Sequence, residues 1–376
     1  MAQTVVVGLG RSGEGAARLL QATGHPVAVI DSGQSEQLEK KAEGLRQQGV
    51  EVQLQAPLAI DSFRPWLDQL QRVVISPGIP WDHPTLDDLR QHGVAVDGEM
   101  AVAWDASKHI PWVGITGTNG KTTVTHLLSH VLCQAGLAAP MGGNMGVSAA
   151  EMALTLQQKH TAAPDWLGMA LSSYQIEAAD RIRPRIGIWT TLTPDHLERH
   201  GTVEAYRAIK RGLLERSDHA IFNADDPDLR QQRQSWTGGT WVSAESAQPD
   251  GQPADLWING EGWVSDRSQP LFPAEALAMP GAHNRQNLLL VTAAALQIGL
   301  SPASIEAGLR SFPGVPHRLE PVGRIRNAQV FNDSKATNYD AAAVGLKAMQ
   351  GPVVVLAGGS TKQGDASGWL EELNRK

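Results

Sequence analysis

The sequence predicts an α/β protein of doubly wound parallel sheets, and three observations carry that prediction. Short β-branched runs alternate with helical segments from the first residues onward. Two strand-to-helix junctions are glycine-rich, GLGRSG and GTNGKTT. The composition, 376 residues with 41% apolar and 19% charged, supplies enough apolar side chains for two or three cored domains.

Residues 1–105 read as a first, Rossmann-like domain. Its strands are TVVVGLG, PVAVID, VEVQLQ, RVVISPG and VAVDGE, with GEGAARLLQATG and SEQLEKKAEGLRQQG as helices. A central domain, 106–311, opens at HIPWVGIT, again strand, glycine loop and helix. The stretches GMALSSYQIE, RIGIWTTLTPDH and HAIFNADD are strand-like. Residues 235–275, rich in Gly, Pro, Ser and Trp, read as short antiparallel strands on one edge: GTWVSAE, DLWING and GWVSD. AHNRQNLLLVTAAALQIG and SPASIEAGLRSF read as helices, and PGVPHRLEPVG as a boundary. The last region, 312–376, has strands near AQVFND and PVVVLAGG with a helix between. At about 65 residues it is marginal for a domain with its own core.

Net charge is −7 and no basic tract occurs, which argues against nucleic acid or an anionic membrane as partner. Cys133 is the single cysteine, so no disulfide framework is possible. Its apolar helical surroundings predict a core position and a reducing compartment. The N-terminus enters a strand directly, without the regions of a secretory signal, and no apolar run approaches the ~18 residues of a membrane helix. The expectation is a soluble, cytoplasmic protein.

VVVGLGRSG carries a strand into Gly8-x-Gly10-x-x-Gly13, and Asp31 closes the next strand. Spacing and context are those of a dinucleotide fingerprint and, taken alone, point to NAD. The second loop points elsewhere. In WVGITGTNGKTTVTHLLSHVL a strand leads through Gly117, Thr118, Asn119 and Gly120 into a helix beginning Lys121-Thr122-Thr123. Backbone N–H groups there face an anion. Lys121 would reach the β- and γ-phosphates of ATP, and the Thr122 hydroxyl would hold Mg²⁺. The generic spacing G-x-x-x-x-G-K-[ST] is not met, because Ile115 stands where its first glycine would be. The bland alternative is a glycine-rich turn with a surface lysine; the strand–loop–helix order weighs against it. A dehydrogenase has no need of such a loop.

GTNGKTT resembles the ATP loop of the Mur ligases and folylpolyglutamate synthases, which activate a carboxylate as an acyl phosphate for attack by an amine. Further stretches resemble the D-glutamate-adding branch of the Mur ligases, in family order from residue 5 to residue 362: GLGRSG, VIDS, ISPGIP, DGEM (Glu99), MGGNMG, LSSYQIE (Ser173 among them), LTPDHLERHGTVEAYRAIK, PGAHNRQN, PHRLE, FNDSKATN and AGGSTK. That resemblance implies three domains, the last of them incomplete here. It also implies UDP-N-acetylmuramoyl-L-alanine, D-glutamate and ATP as substrates, a bacterial cytoplasmic monomer, and a role in peptidoglycan precursor synthesis. Gly10, Arg11, Ser12, Asp31, Ser32, Ser76, Pro77 and Gly78 would then hold the UDP end, so the first loop takes a diphosphate without NAD. Asn144, Ser172 and His196 would face the same substrate. Asn284 and Asn287 resemble adenine-side contacts, Arg318 a γ-phosphate contact and Asp333 a ribose contact. Lys335, Thr337 and Lys362 would meet D-glutamate, the two lysines being sensible partners for its two carboxylates.

Lys121, Asn144, His196 and Lys210 form the implied catalytic set. By the resemblance, His196 and a carbamylated Lys210 hold a second Mg²⁺; CO₂ turns the ammonium into an anionic oxygen ligand, which Mg²⁺ prefers. By its own sequence context Lys210 reads as a solvated lysine on a helix, and only the family motif reverses that.

Two departures stand out. The family motif E-L-S-S-[FY]-Q is Ala170-Leu171-Ser172-Ser173-Tyr174-Gln175 here, so a carboxylate metal ligand is replaced by a methyl. Such a loss is expected to cost on the order of 10²–10⁴ in rate. Glu177 lies seven residues on, and is not expected to fill in. The family's last domain also continues beyond AGGSTKQGD, with further D-glutamate contacts; poor closure and weak amino-acid affinity are the expectation. A nucleotide-binding pseudoenzyme or truncated copy of the ligase is the alternative these departures motivate.

Overall fold

The computed structural model describes residues 2–158, 162–359 and 365–376. It divides into two compact units, Met1–Gly117 with Ala138–Trp189 and Thr193–Ala220, and Thr118–Leu137 with Thr190–Leu192 and Ile221–Lys376.

The first unit opens on five parallel strands: β1 (Thr4–Val7), β2 (Val27–Ile30), β3 (Glu51–Gln53), β4 (Arg72–Ile75) and β5 (Ala95–Gly98). Their order is β3-β2-β1-β4-β5. The reversal beside β1 is the switch point at which such sheets bind ligands. Buried on both faces, β1 and β2 are continuous β-branched and alanine runs without polar alternation. Val5, Val7, Ala28, Ile30, Val73 and Ile75 pack against Phe63 and Trp66 in one apolar cluster. A second parallel group in the same unit runs β7-β8-β6-β9: β6 (Trp112–Thr116), β7 (Met141–Gly143), β8 (Leu167–Ala170) and β9 (Ile186–Trp189).

The strand in GMALSSYQIE stops at Ala170. Ser172 then caps the helix Ser173–Glu177, accepting the Gln175 N–H while Gln175 accepts from the Ser172 backbone. This reciprocal capping ends the strand where β-propensity alone would extend it.

The second unit carries β10 (His219–Asn223), β11 (Thr240–Ser243), β12 (Leu256–Ile258), β13 (Trp263–Asp266) and β14 (Pro270–Pro273). The expected antiparallel edge is partly wrong. β11 pairs in parallel with both β10 and β12, and only β12-β13-β14 is antiparallel. The connections into β11 and β12 each contain a helical segment, long enough to cross over; those into β13 and β14 are tight turns. The 14-residue helix Lys121–Gln134 buries Val124, Leu127, Leu128 and Val131. Cys133 lies on its outward face and is exposed, against the core position expected. The hairpin β15 (Glu320–Ile325) and β16 (Ala328–Asn332) follows. No strand forms at PVVVLAGG: Val354 is 92% and Leu356 97% exposed. A strand needs a neighbour for its backbone groups, and β15 and β16 pair only with each other. Among the described residues no helix is long and apolar enough to cross a membrane.

Glu99 is the most deeply buried carboxyl of the first unit, at 1% exposure. It starts the helix Glu99–Ser107, and its Oε1 accepts the Ala150 N–H at 2.6 Å. Burial pushes its pKa up to about 7, opposed by the hydrogen bonds from Ala150, Ser148 and Ala149. A folded-state pKa above the unfolded value means that the stability is fully present below about 4.5 and is lost as pH rises through about 7. Glu99→Gln should therefore gain on wild type by up to about 3 kcal/mol between pH 4.5 and pH 8, measured by urea unfolding. Parallel pH profiles for the two proteins would contradict the assignment.

Candidate functional site

Each unit carries one glycine-rich cradle. In the first, β1 leads to Gly8, and the helix Arg11–Ala22 starts at Gly10. Gly13 is where a side chain cannot go, because a Cβ there would run into the Gly8 carbonyl oxygen. That close approach aims the helix N-terminus across the loop. Asp31 braces the turn: Oδ2 accepts the Leu9 N–H at 2.6 Å and Oδ1 the Gly33 N–H at 2.7 Å. Ser76 Oγ donates to the Gly8 carbonyl at 3.1 Å, so the SPG stretch closes the other side. Gly10, Arg11, Ser32 and Gly78 are exposed around it, with Ser12 and Pro77 half-buried. Arg11 Nη1 donates to the Gly146 carbonyl at 2.8 Å, which ties this cradle to the loop holding Asn144.

Sequence context placed Lys210 on the surface; the structure buries it to 1% exposure. It lies on the helix Val203–Glu215, and its Nζ donates to Gly117 O at 3.1 Å and Thr116 Oγ1 at 3.3 Å. The Nζ also sits 4.5 Å from the Tyr206 ring centroid. From there a file of rings reaches His196. Tyr206 to His200 is 5.6 Å, His200 to Tyr174 5.3 Å and Tyr174 to His196 5.0 Å between centroids. Tyr174, His200 and Tyr206 were not singled out in the sequence, although His196/His200 and Tyr206/Lys210 both have the spacing of helical neighbours. Burial, reinforced by Arg199 and His196, pushes His200 down to about 4, so it is a neutral imidazole at pH 7; Ser173 Oγ lies 2.9 Å from its Nε2. His196 itself has left-handed backbone, with Asp195 and Glu198 each 3.6 Å from its ring nitrogens. Arg199 Nη2 donates to Glu177 Oε2 at 2.9 Å. Ala170 is buried, and its carbonyl accepts the Asn144 N–H at 2.9 Å. Among the described residues no three His, Cys, Asp or Glu side chains gather as a metal-ligand set.

The second unit holds the other glycine-rich cradle. Thr118 N–H donates to Thr191 O at 2.8 Å and Asn119 N–H to Thr191 Oγ1 at 3.0 Å. Thr190 Oγ1 donates to the Asn119 carbonyl. Gly120 has φ +85°, and a Cβ there would stand 3.0 Å from Asn287 Oδ1 and 3.2 Å from Thr190 Cβ. Lys121 Nζ donates to Thr118 O at 2.9 Å, folded back over the loop; Thr122 is half-buried and Thr123 buried in the same turn. Asn284 donates to Pro280 O at 2.7 Å and accepts from Asn287 at 3.1 Å. Beside them opens a cavity of about 440 Å³ lined by Leu277, Met279, Pro280, Asn284, Arg285 and Leu288, large enough for a purine. The apolar part of its mixed lining, Leu277, Met279 and Leu288, was not read from the sequence, where the polar PGAHNRQN motif stood out. Arg318 Nε is buried without a hydrogen bond, and burial lowers the Arg318 pKa despite Asp333. Burial raises Asp333 in turn, although its Oδ1 accepts the Leu319 N–H. Lys335 reaches the same neighbourhood: after burial, its charge is what holds His126 below the ordinary histidine value. Thr337 is exposed, and Lys362 lies outside the described residues.

Gly120→Ala should break this loop. It adds the left-handed cost of about 1–2 kcal/mol and a methyl against Asn287 and Thr190. ATP affinity measured by calorimetry should fall about tenfold or more, with unfolding still cooperative. Unchanged affinity would show that the turn does not shape the cradle.

Comparison with known proteins gives the family. Residues 2–98 match the Mur ligase MurD-like N-terminal domain, and residues 115–295 the Mur ligase middle domain. The chain is 95% identical over its whole length to a UDP-N-acetylmuramoylalanine–D-glutamate ligase of Parasynechococcus marenigrum (strain WH8102), of which it covers 81%. It is 67% identical to the ligase of that name from Synechococcus sp. (strain CC9605), covering 82%. Among solved structures, the UDP-N-acetylmuramate-alanine ligase of Thermotoga maritima shares the fold: TM-score 0.57, 20% identity, 93% of this chain and 77% of that one. A murein peptide ligase of Psychrobacter arcticus 273-4 does so too, with TM-score 0.56 and 20% identity over 92% of this chain and 75% of its own. Two domain profiles and an identity that runs the whole length of the sequence settle the family: the chain belongs to the Mur ligases.

Proposed function

We propose that this chain joins D-glutamate to the carboxylate of UDP-N-acetylmuramoyl-L-alanine while ATP is cleaved to ADP and phosphate. The observation that carries the reading is the 95% identity, over every residue, to a ligase so named. The same identity favours it over the pseudoenzyme alternative.

Joining a carboxylate to an amine in water is uphill, and an acyl phosphate makes it feasible. A substrate carboxylate oxygen attacks the γ-phosphorus, and the bond to the β-phosphate oxygen breaks to release ADP. The D-glutamate nitrogen then attacks the carbonyl carbon, loses a proton and expels phosphate. Bringing a carboxylate to a triphosphate concentrates negative charge, so preorganised cations and amides dominate catalysis. Lys121 and the N-terminus of the helix Lys121–Gln134 supply them at the β- and γ-phosphates, with Gly117 through Thr123 as the cradle. Arg318 serves the γ-phosphate, Asp333 the ribose, and Asn284 and Asn287 the adenine beside the 440 Å³ cavity. Thr122 offers its hydroxyl to the Mg²⁺ that arrives with ATP. Gly10, Arg11, Ser12, Asp31, Ser32, Ser76, Pro77 and Gly78 hold the UDP end. Asn144, Ser172 and His196 face the acyl group, and Lys335, Thr337 and Lys362 receive D-glutamate.

A second Mg²⁺ would rest on His196 and Lys210. As the side chains stand, the donor set is one imidazole, one buried ammonium and the methyl of Ala170, which does not fit a hard divalent cation. A carbamate on Lys210 would supply one oxygen. The proposed domains are 1–105, 106–311 and 312–376, in a monomer of the bacterial cytoplasm.

ADP release with UDP-N-acetylmuramoyl-L-alanine, ATP, Mg²⁺ and bicarbonate should require D-glutamate and fail with L-glutamate, L-alanine or L-lysine. Lys121→Met should lower the rate on the order of 10²–10³. Ala170→Glu should raise it on the order of 10²–10⁴ by restoring an oxygen ligand. ATP binding without ADP release in both the parent chain and Ala170→Glu would favour the pseudoenzyme.

A further inference from the structure

Glu99 has no part in the chemistry above, yet its placement is costly. It is 1% exposed, its Oε2 is buried without a hydrogen bond, and burial alone favours losing its charge. A buried carboxyl with one orphaned oxygen is retained where a specific geometry depends on it. Its Oε1 takes the Ala150 N–H at 2.6 Å, and Ser148 and Ala149 face the same carboxyl. These are the opening residues of the helix Ala149–Gln158, whose first-turn N–H groups lack partners within the helix.

The loop leading into that helix is residues 144–148, directly after β7, and it presents Asn144. Gly143 N–H donates to Val147 O at 3.2 Å, closing the loop on itself. Asn144 N–H is held by Ala170 O, and Gly146 O by Arg11. Ser148 sits against the helix Arg11–Ala22, where a Cβ on Gly15 would stand 2.6 Å from its hydroxyl. Arg11 and Ala170 fix the two outer turns of the loop, and Glu99 fixes its base from inside the core.

We propose that Glu99 is a positioning residue: by capping the start of the helix Ala149–Gln158 it sets the loop that aims Asn144 at the acyl group. The kinetic part rests on the role given above to Asn144; the structural part does not. Glu99→Gln keeps the Oε1 acceptor and the shape. Glu99→Met keeps the volume, removes the buried polar group and removes the cap. If Glu99 positions the loop, Glu99→Met folds, turns over about tenfold to a hundredfold more slowly, and leaves the KM for ATP within about twofold. Glu99→Gln restores most of the turnover. Hydrogen exchange by mass spectrometry gives the readout free of activity: amides 144–150 exchange faster in Glu99→Met and at the parent rate in Glu99→Gln. Glu99→Asp, which keeps the charge and draws the carboxyl one methylene back from the Ala150 N–H, shows faster exchange at 144–150 at smaller size and decides the matter if Glu99→Met does not fold. Unchanged exchange at 144–150 in a folded Glu99→Met, or in Glu99→Asp where that is the deciding variant, overturns the proposal. Faster exchange together with no ADP release by the parent chain upholds the hold on the loop and sinks the functional reading instead.

Discussion

The left-handed turn at Gly120 is the constraint on which the nucleotide end of this protein depends. Thr190 and Thr191 grip the preceding residues through their side chains and backbone, and Asn287 closes over the turn from the helix Ala282–Ile298. With no Cβ at residue 120 the chain reverses in the space between them, and the next amides point out along a helix axis. Lys121 and Thr122 inherit their direction from that reversal. Asn287 also donates to Asn284, which lines the purine-sized cavity. One short chain of contacts thus links the Gly120 turn to the cavity lining.

Lys210 poses the opposite problem. A buried ammonium needs oxygen partners, and it has a backbone carbonyl and a hydroxyl at the end of β6. The rings of Tyr206, His200 and Tyr174 then lead from it to His196. A neutral His200 keeps that file from adding another positive charge next to Lys210. The same unit holds β8, which stops at Ala170. Alanine leaves the strand end intact, since its carbonyl still holds Asn144 N–H.

Most of the parallel strands were legible because strands buried on both faces leave an unmistakable signature of continuous Val and Ile runs, as at Val5–Val7 and Val27–Ile30. The two cradles were legible because glycine, lysine and threonine at fixed spacing have few other uses. Features set by tertiary partners were not. PVVVLAGG has every local property of a strand and forms none, because pairing depends on a neighbour and not on its own residues. GTWVSAE shows no local mark that separates parallel from antiparallel pairing. Cys133 and Lys210 exchanged expected places, since helix propensity says nothing about which face meets the core. Residue by residue, Lys210 became readable only through the motif that surrounds it.

The central claim is that ATP activates the substrate carboxylate as an acyl phosphate. The most direct test is oxygen transfer: UDP-N-acetylmuramoyl-L-alanine carrying ¹⁸O in its carboxylate is turned over with ATP and D-glutamate, and the released phosphate is weighed by mass spectrometry. The account predicts one ¹⁸O in each phosphate, because the carboxylate oxygen that attacked the γ-phosphorus leaves with it. Unlabelled phosphate accompanying labelled product would contradict it.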